Sequence, residues 1–289
     1  MRTGISAIVT AYDRVDQTLA TLRVIQSCIP APDEVLVHVD ANQVECEKAI
    51  RAEFPDLRIL RSTEQIGPGG GRNRLMNAAQ FDFVASFDDD SYPLDSDYFA
   101  RALKLFEKFP DASVVCAAVY HMGEAIRLDE QRAQWTADFL GAASVYRRSA
   151  FLDAGGYVPL PVAYGMEEVD LALRVHSRGG KILTSHWLRV FHNTDLRHHA
   201  DPRVTASSIA NLALLAYLRY PVSLWGIGAG QCANRLLWLL RHGRRRGILK
   251  GLTMIPAHLR AHHRYRLPVS KRAVTSYLVL RRAPVAVSF

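Results

Sequence analysis

The stretch FDFVASFDDDSYP, residues 81–93, carries the pattern that decides the fold class. A mostly apolar, strand-like run (81–87) ends abruptly at three consecutive aspartates, Asp88, Asp89 and Asp90. Comparable strand-like runs occur at residues 4–11, 34–40, 57–60 and 112–120. Segments with helical spacing separate these runs, as in βαβ units. We therefore expect an α/β protein with a mostly parallel central sheet covered by helices on both faces.

Polar residues follow the predicted strands at the points where the strands end. Thr10 and Tyr12 lie at the end of the first strand, Asp40 ends the second, and the three aspartates end the fourth. Ligands of parallel sheets bind at the carboxyl ends of the strands. The sequence therefore predicts that these residues converge on one ligand-binding crevice.

The three adjacent aspartates admit two interpretations. Adjacent carboxylates repel one another, and a cation at the strand end would relieve the repulsion, since Mg²⁺ and Mn²⁺ prefer oxygen ligands. A solvated acidic turn explains the same residues, because the following Ser91-Tyr92-Pro93 also favours a turn. The position at the end of a strand favours the divalent cation.

His192 follows the second of two further strands, which we predict at residues 181–185 and 188–193. A lone histidine is more often a structural group than a ligand. Close to an aspartate cluster, however, its imidazole is a candidate third metal ligand.

The glycine-rich segment GPGGGRNR, residues 67–74, opens a helix that we predict from about Gly70 to Ala79. Glycines let a backbone approach a phosphate group, and the N-terminus of a helix attracts anions. A tight connection between strand and helix explains the same glycines equally simply. Arg72 and Asn73 add hydrogen-bond donors for a phosphate or a base, which favours a ligand-binding role.

The segment GMEEVDLALR, residues 165–174, begins another predicted helix (165–178) with three carboxylates, Glu167, Glu168 and Asp170. A carboxylate flanked by like charges has a raised pKa, which suits a general base that works near neutral pH. Acidic residues also favour helix N-termini through the helix dipole. The helix dipole accounts well for Asp170 and less well for the two adjacent glutamates.

Composition limits the classes of protein to which the 289-residue chain can belong. The four cysteines lie far apart without a CxxC pair, which argues against a zinc knuckle or a disulfide scaffold and suits a reducing compartment. An apolar strand follows the first few residues directly, so we expect no secretory signal.

Residues 202–289 contain 15 of the 36 Lys and Arg residues and none of the 28 acidic ones.

This basic region, residues 202–289, is expected to form a helical appendage to a first domain at 1–201. Its apolar segments at 207–218 and 231–242 are shorter than the ~20 residues that a membrane-spanning helix needs. They fit interfacial helices on an anionic membrane surface. A helical cover, packed on the first domain and exposing a basic face, is an equally good interpretation. Nucleic acid is not expected as a partner, because no recognisable binding module is present.

Seven motifs in their order along the chain resemble the family 2 glycosyltransferases of GT-A fold over roughly residues 1–195. The motifs are TAYDR (10–14), VHVDAN (37–42), GPGGGRNR (67–74), FDDDSYP (87–93), GAASVYRRSAF (141–151), GMEEVDLALR (165–174) and VFH (190–192). The resemblance implies a Rossmann-like catalytic domain and inverting transfer of a sugar from a nucleoside diphosphate, UDP or dTDP. It also implies Mn²⁺ or Mg²⁺ as cofactor and a polysaccharide or polyprenyl-linked acceptor. The basic region at 202–289, together with the expected lack of a secretory signal, predicts a peripheral position at the inner face of the cytoplasmic membrane.

The same resemblance implies a role for each matching residue. Thr10, Tyr12 and Asp40 would hold the pyrimidine base. Arg72, with Asn73 beside it, would contact base or phosphate. Asp88 would bind the ribose, and Asp90, with Asp89, the metal and diphosphate. Glu168 would be the general base, and Glu167 would lie beside it on the acceptor side. The implied metal ligands are Asp88, Asp90 and His192.

Two features depart from the family pattern, and two other functions compete with it. The base position holds Glu instead of the commoner Asp, and three aspartates leave open which two form the functional pair. A sugar nucleotidyltransferase would need a Gly-rich, Lys-containing loop after the first strand, where this chain has TAYDR. An inactive nucleotide-sugar-binding scaffold is the other alternative, and the intact carboxylates argue against it.

Overall fold

The structure, a computed structural model, describes residues 2–160, 162, 164, 166–194 and 201–289. Ten strands form a single sheet. They are β1 (Arg2–Ala11), β2 (Glu34–Val39), β3 (Arg58–Arg61), β4 (Phe81–Asp88), β5 (Ser91–Pro93), β6 (Ala112–His121), β7 (Ala133–Thr136), β8 (Ser144–Arg147), β9 (Lys181–His192) and β10 (Val285–Val287).

Helices connect most of the strands and form the C-terminal region. They are α1 (Val15–Ser27), α2 (Val44–Glu53), α3 (Gly67–Ala78), α4 (Tyr98–Lys108), α5 (Arg148–Asp153), α6 (Glu167–Ser177), α7 (Pro202–Arg219), α8 (Trp225–Arg241), α9 (Ile248–Ala261) and α10 (Lys271–Arg282). Gly165, where the sequence predicts the start of α6, lies outside the described residues.

The strand order across the sheet is β10-β7-β9-β6-β8-β4-β1-β2-β3, with β5 paired to β9. Parallel pairing joins β4, β1, β2 and β3, and it also joins β6 to β9. Strand β8 runs antiparallel between β4 and β6, so these two blocks point the same way. The predicted α/β architecture with a mostly parallel sheet is therefore confirmed.

Two separate hydrophobic clusters cover the two faces of the sheet. Successive residues of a strand point to opposite faces, and Val9 accordingly packs in the cluster that contains α1, α2 and α4. The adjacent Ile8 packs in the second cluster, with apolar residues of α3, α5 and α6. The central strands are thus buried on both faces, and their polar ends are the parts that reach a ligand.

The strands that carry the predicted site residues have their carboxyl ends on the same side of the sheet, which we call its carboxyl edge. Because β1, β2, β4 and β9 share one direction, Thr10, Asp40, Asp88 and His192 all lie at or next to that edge. Residues 181–192 form one strand, β9, although the sequence indicates two. An irregularity in the β6–β9 register, near Ser185, lies where the break was predicted.

The basic C-terminal region is built into the first part of the chain. Val274 and Tyr277 of α10 belong to the same hydrophobic cluster as α6. Strand β10 pairs antiparallel with β7 at one edge of the sheet. These contacts agree with the helical-cover interpretation for α7 and α10, whereas the division into domains 1–201 and 202–289 stays a prediction. Among the helices that the structure describes, none is long and apolar enough to cross a membrane.

Candidate active site

Among the residues that the structure describes, Asp88, Asp90 and His192 form a cluster that could hold a metal ion. Each of them offers a ligand atom, and these atoms lie within 4.8 Å of one another. The short strand β5 pairs with β9 so that Ser91 faces His192, which brings the aspartates between β4 and β5 to the end of β9. The Asp90 Oδ1 atom lies 3.1 Å from His192 Nε2. The pairing of β5 with β9 thus explains how residues 102 positions apart meet.

Arg14, in the loop after β1, is a site residue that the sequence interpretation missed. Its guanidinium forms ion pairs with both Asp89 and Asp90. Burial raises the pKa of Asp89 to about 7, with help from the charges of Asp88 and Asp90 and against that of Arg14. Arg14 therefore offsets part of the repulsion among the three carboxylates. A cation bound at Asp88 and Asp90 would offset more of it.

Hydrogen bonding sets the protonation of Asp90 and His192. Burial opposes ionisation of Asp90, but its bond to His192 and the charge of Arg14 hold its pKa below the usual range. Burial also opposes protonation of His192, but Asp90 and Asp88 raise the pKa of this imidazole above its usual value. A metal ion held at Nε2 would have to displace a proton, because only the neutral imidazole is a ligand.

Arg72 connects the aspartate cluster to the start of α6. The buried guanidinium donates through Nε to Ser86 Oγ at 3.0 Å and through Nη2 to Asp88 Oδ1. Its Nη1 atom lies 3.4 Å from Glu167 Oε1. Arg72 and Thr10, whose hydroxyl lies 3.1 Å from Asp88 Oδ1, together fix this aspartate. The predicted contact of Arg72 with a nucleotide stays a prediction.

Glu167 and Glu168 occupy different environments although they are adjacent. Glu167 is 1% exposed, and burial together with the charge of Glu168 raises its pKa to about 8, despite Arg72. Glu168 is only half-buried and lies beside Gly141. Burial raises the pKa of Glu168 as well, and Arg72 opposes this shift. Of the two carboxylates, that of Glu168 is the more accessible to a substrate.

The glycine-rich segment is the first turn of α3, which begins at Gly67 and not near Gly70. A Cβ atom at Gly69 would lie 2.6 Å from the carboxyl carbon of Glu167. Glycine at this position therefore lets α3 approach the start of α6 closely. This close packing of two helices, rather than a phosphate-binding loop, accounts for Gly69.

Asp40, at the end of β2, holds the loop between β3 and α3. Its Oδ1 atom accepts hydrogen bonds from Ser62 Oγ at 2.6 Å and from the amides of Ala41 and Ile66, both at 3.0 Å. Its Oδ2 atom accepts from the Gly67 amide at 2.9 Å, and a carboxylate oxygen can accept a second hydrogen bond. The predicted bond from a pyrimidine N–H would use this remaining position.

The side chains of Tyr12 and Asn73 differ in their availability to a ligand. The ring of Tyr12 is exposed, while its amide lies 3.3 Å from Asp89 Oδ2 at the edge of the cluster. The side-chain amide of Asn73 instead donates to the Tyr157 carbonyl at 2.9 Å and accepts from the Tyr157 amide at 2.8 Å. Asn73 thus stabilises the segment around Tyr157, and its side chain is not part of the carboxylate cluster.

Asp170, the third acid of the EExD segment, belongs to a buried network with Arg174 and Arg219. The Oδ2 atom of Asp170 accepts from Arg174 Nε at 3.0 Å, and both of its oxygens pair with the guanidinium of Arg219. Arg219 also donates to the Tyr265 carbonyl at 2.8 Å. This network ties α7 to α6, so the role of Asp170 is structural.

The mostly parallel sheet, with an aspartate–histidine cluster and an acidic helix start at its carboxyl edge, matches the GT-A fold of solved glycosyltransferases. The family model described as glycosyltransferase-like family 2 matches residues 3–161, which is more than half of the chain. The chain therefore belongs to glycosyltransferase-like family 2. No curated protein matches it significantly in sequence.

Three solved structures illustrate the likeness in fold. Mannosyltransferase PcManGT from Pyrobaculum calidifontis, in complex with GDP-Man and Mn²⁺, has a TM-score of 0.59 and 16% identity, over 98% of this chain and 86% of its own. S. aureus TarS 1–349 with UDP-GlcNAc has a TM-score of 0.58 and 14% identity, over 91% of this chain and 92% of its own. GalNAc-T7 with UDP, GalNAc and Mn²⁺ has a TM-score of 0.58 and 12% identity, over 76% of this chain and 49% of its own. The chain thus spans about half the length of GalNAc-T7.

Proposed function

We propose that this chain is an inverting glycosyltransferase that transfers a sugar from a nucleoside diphosphate, UDP or dTDP, to a saccharide acceptor with the help of a divalent cation. One observation carries the proposal. Arg72 bridges Asp88 of the candidate cation site to Glu167, beside the candidate base Glu168. A donor diphosphate held at the aspartates would therefore lie next to a carboxylate that can activate an acceptor.

The donor set of the aspartate–histidine cluster fits Mn²⁺ or Mg²⁺. Asp88, Asp90 and His192 supply two carboxylates and one imidazole, and Mn²⁺ accepts both oxygen and nitrogen ligands. PcManGT and GalNAc-T7 were both solved with Mn²⁺. When bound, the cation would neutralise charge on the leaving diphosphate. The residues of the chain hold the donor: Tyr12 and Asp40 at the base and Asp88 at the ribose.

Glu168 is the better candidate for the general base. Glu168 is the more exposed of the two residues and is the one that can approach an acceptor hydroxyl, whereas Glu167 is enclosed by Arg72 and Gly69. Glu168 would take the hydroxyl proton as the acceptor oxygen bonds to the anomeric carbon. The bond from that carbon to the diphosphate breaks on the opposite side, which inverts the configuration. The pKa values of both glutamates are raised, so it is the exposure of Glu168, and not its pKa, that favours it as the base.

The outer surface of α8 and α9 supports docking at the inner face of a cytoplasmic membrane, where a polyprenyl-linked acceptor would be found. Leu249 is 75% exposed and Leu237 is 51% exposed, and Leu240 and Leu252 are exposed as well. Arg245, Arg246 and Lys250 are exposed in the same part of the chain. Residues 202–289 contain no acidic residue, so no negative charge of this region opposes an anionic lipid surface. Exposed apolar side chains and cations complement such a surface.

Thermal denaturation with nucleoside diphosphates tests the proposed donor site. UDP or dTDP with Mn²⁺ should stabilise the protein by about 2.7 kcal/mol at a hundredfold excess over Kd, a rise in Tm of roughly 5–10 °C. Asp90→Asn should abolish this Mn²⁺-dependent shift, whereas Asp56→Asn, at an exposed carboxylate far from the cluster in sequence, should keep it. Full transfer activity in excess EDTA would contradict the proposal.

A further inference from the structure

The segment at residues 139–143, which we call the Gly141 segment, lies against the candidate base. A Cβ atom at Gly141 would lie 3.2 Å from Glu168 Oε1 and 3.1 Å from the guanidinium carbon of Arg72, so the backbone of Gly141 contacts both side chains. Burial raises the pKa of Glu168, whereas Arg72 and hydrogen bonds from the backbone, that of Gly141 among them, lower it. The position of Gly141 therefore affects both the placement and the ionisation of Glu168.

The later part of the Gly141 segment is attached to the candidate cation site through Ser91. The Oγ atom of Ser91 donates to the Ala142 carbonyl at 2.9 Å and accepts from the Asp88 amide at 2.7 Å. This side chain fixes the segment beyond Gly141. The earlier part, which begins after Asp138, depends on other contacts.

Asp138, immediately before the Gly141 segment, is bound by helix α10 of the C-terminal region. Its Oδ1 atom accepts a hydrogen bond from the hydroxyl of Tyr277, which lies 139 positions further along the chain. Its Oδ2 atom lies 2.6 Å from Arg281 Nε. Both carboxylate oxygens of Asp138 are thus held by the same helix.

The two contacts of Asp138 differ in strength. Tyr277 is 1% exposed and belongs to the hydrophobic cluster that contains apolar residues of α6, so its hydroxyl has a fixed position. A hydrogen bond to an ionised carboxylate is one of the stronger kinds. The side chain of Arg281 is 47% exposed, and an ion pair at such a site contributes little. The Tyr277 hydroxyl is therefore the contact that fixes Asp138.

We infer that Tyr277 is a positioning residue for the candidate base, Glu168. It fixes Asp138 and thereby the Gly141 segment, whose backbone holds the Glu168 carboxylate in place. The inference rests on the proposed function, in which Glu168 takes the acceptor proton, and extends it to a buried residue outside the active site. Helix α10 thus takes part in arranging the active site besides covering the sheet.

Titration of Glu168, followed by NMR of protein labelled at the glutamate carboxyl carbons, tests the inference without a substrate. The signal of Glu168 is the one that is missing from Glu168→Gln. Tyr277→Phe keeps the buried ring and removes only the hydroxyl. The backbone of Gly141 should then hold Glu168 less well, and the pKa of Glu168 should rise by about half a pH unit or more. A merely structural role of Tyr277 would lower Tm and leave this pKa unchanged, which would overturn the inference.

Hydrogen exchange of the backbone amides shows whether the Gly141 segment itself is released. In Tyr277→Phe, the amides of residues 139–143 should exchange about tenfold or more faster, because opening of the segment costs less free energy. Ser276→Ala is the matched control, since it removes a hydroxyl of the same helix that is bonded to His176 at 2.8 Å and leaves Asp138 unaltered. It should change neither the exchange nor the pKa of the base. Equal changes in both variants would indicate a general loosening of α10 and would overturn the inference.

Asp138→Ala removes the other partner of the bond and should reproduce the effects of Tyr277→Phe. Combining the two changes should add little, because residues that act through one contact are not additive. Fully additive effects would contradict the inference, since the hydroxyl and the carboxylate would then act separately. Should Tyr277→Phe not fold, Asp138→Ala and Ser276→Ala still decide.

Stabilisation by UDP and Mn²⁺ separates this inference from the proposed function. Tyr277→Phe should retain it, because Thr10, Arg14 and Ser91 fix the aspartates independently of Asp138. If the nucleotide does not stabilise even the unaltered protein, the proposed donor site fails, while the NMR and exchange measurements still decide on Tyr277. If only the variant loses this stabilisation, the Gly141 segment serves the donor, and the inference is overturned.

Discussion

Exchange of Glu168 for Gln is the most informative test of the proposed chemistry. A Gln side chain has the length and shape of that of Glu168, but its amide cannot take a proton from the acceptor. Loss of a general base costs on the order of 10²–10⁴ in rate, which corresponds to about 2.7–5.4 kcal/mol of activation free energy. Binding of the donor nucleotide should hardly change, because the base acts on the acceptor.

The environment of Glu167 indicates how strongly the exchange Glu167→Gln should affect the transfer rate. Burial and the charge of Glu168 raise the pKa of Glu167 to about 8, so the protonated form of its carboxyl group predominates at pH 7. Glu167→Gln therefore replaces a mostly neutral group by another neutral one of similar shape. We expect it to reduce the rate far less than Glu168→Gln does, with any loss arising from the altered contact to Arg72.

The assay measures release of nucleoside diphosphate with and without acceptor, alongside nucleotide binding by thermal shift. Glu107→Gln, at an exposed position of α4, is the matched control and should behave like the unaltered protein. An inactive Glu167→Gln together with an active Glu168→Gln would reverse the assignment of the base. Full activity of both variants would refute general-base catalysis by this pair.

Three further predictions concern the rest of the molecule. Asp170→Asn should destabilise the protein by about 3–5 kcal/mol in urea unfolding, because it leaves buried arginines without a counter-charge. Arg219→Gln should cost less, about 1.5–3 kcal/mol, and the reverse order would contradict the buried network. Gly69→Ala should lower Tm, since its Cβ would overlap a buried glutamate, whereas Gly230→Ala, with open space around it, should not. Leu249→Gln should weaken co-sedimentation with anionic vesicles, and equal binding of the unaltered chain to neutral vesicles would reject electrostatic docking.

The parts of the fold that the sequence predicts are those set by local pattern. Apolar runs that end at polar residues identify β1, β2 and β4, and the shared direction of parallel strands then brings Thr10 and Asp88 together. The cluster of Asp88, Asp90 and His192 could be anticipated for the same reason.

The features that the sequence does not reveal depend on contacts between distant positions. Arg14 stands within the TAYDR motif, but nothing local indicates that its guanidinium turns towards Asp89 and Asp90. Asp170 and Arg219 are 49 residues apart, and only the packing of α7 on α6 joins them. The helix dipole distinguishes Asp170 from the two adjacent glutamates, but the sequence does not reveal that Asp170 pairs with two buried arginines.

The pairing of β10 with β7 has a consequence for how the protein is made. Residues 285–287 complete the sheet edge formed by residues 133–136, so the ribosome must add about 150 residues after β7 before this edge has its partner. Until then β7 presents unpaired backbone groups, and the face of α6 that receives Tyr277 is uncovered. Nascent chains in this state are prone to strand-to-strand aggregation, and such long-range pairing slows folding. Fusion partners or premature stops that disturb residues 270–289 should therefore lower the yield of folded protein while every residue of the active site remains in place.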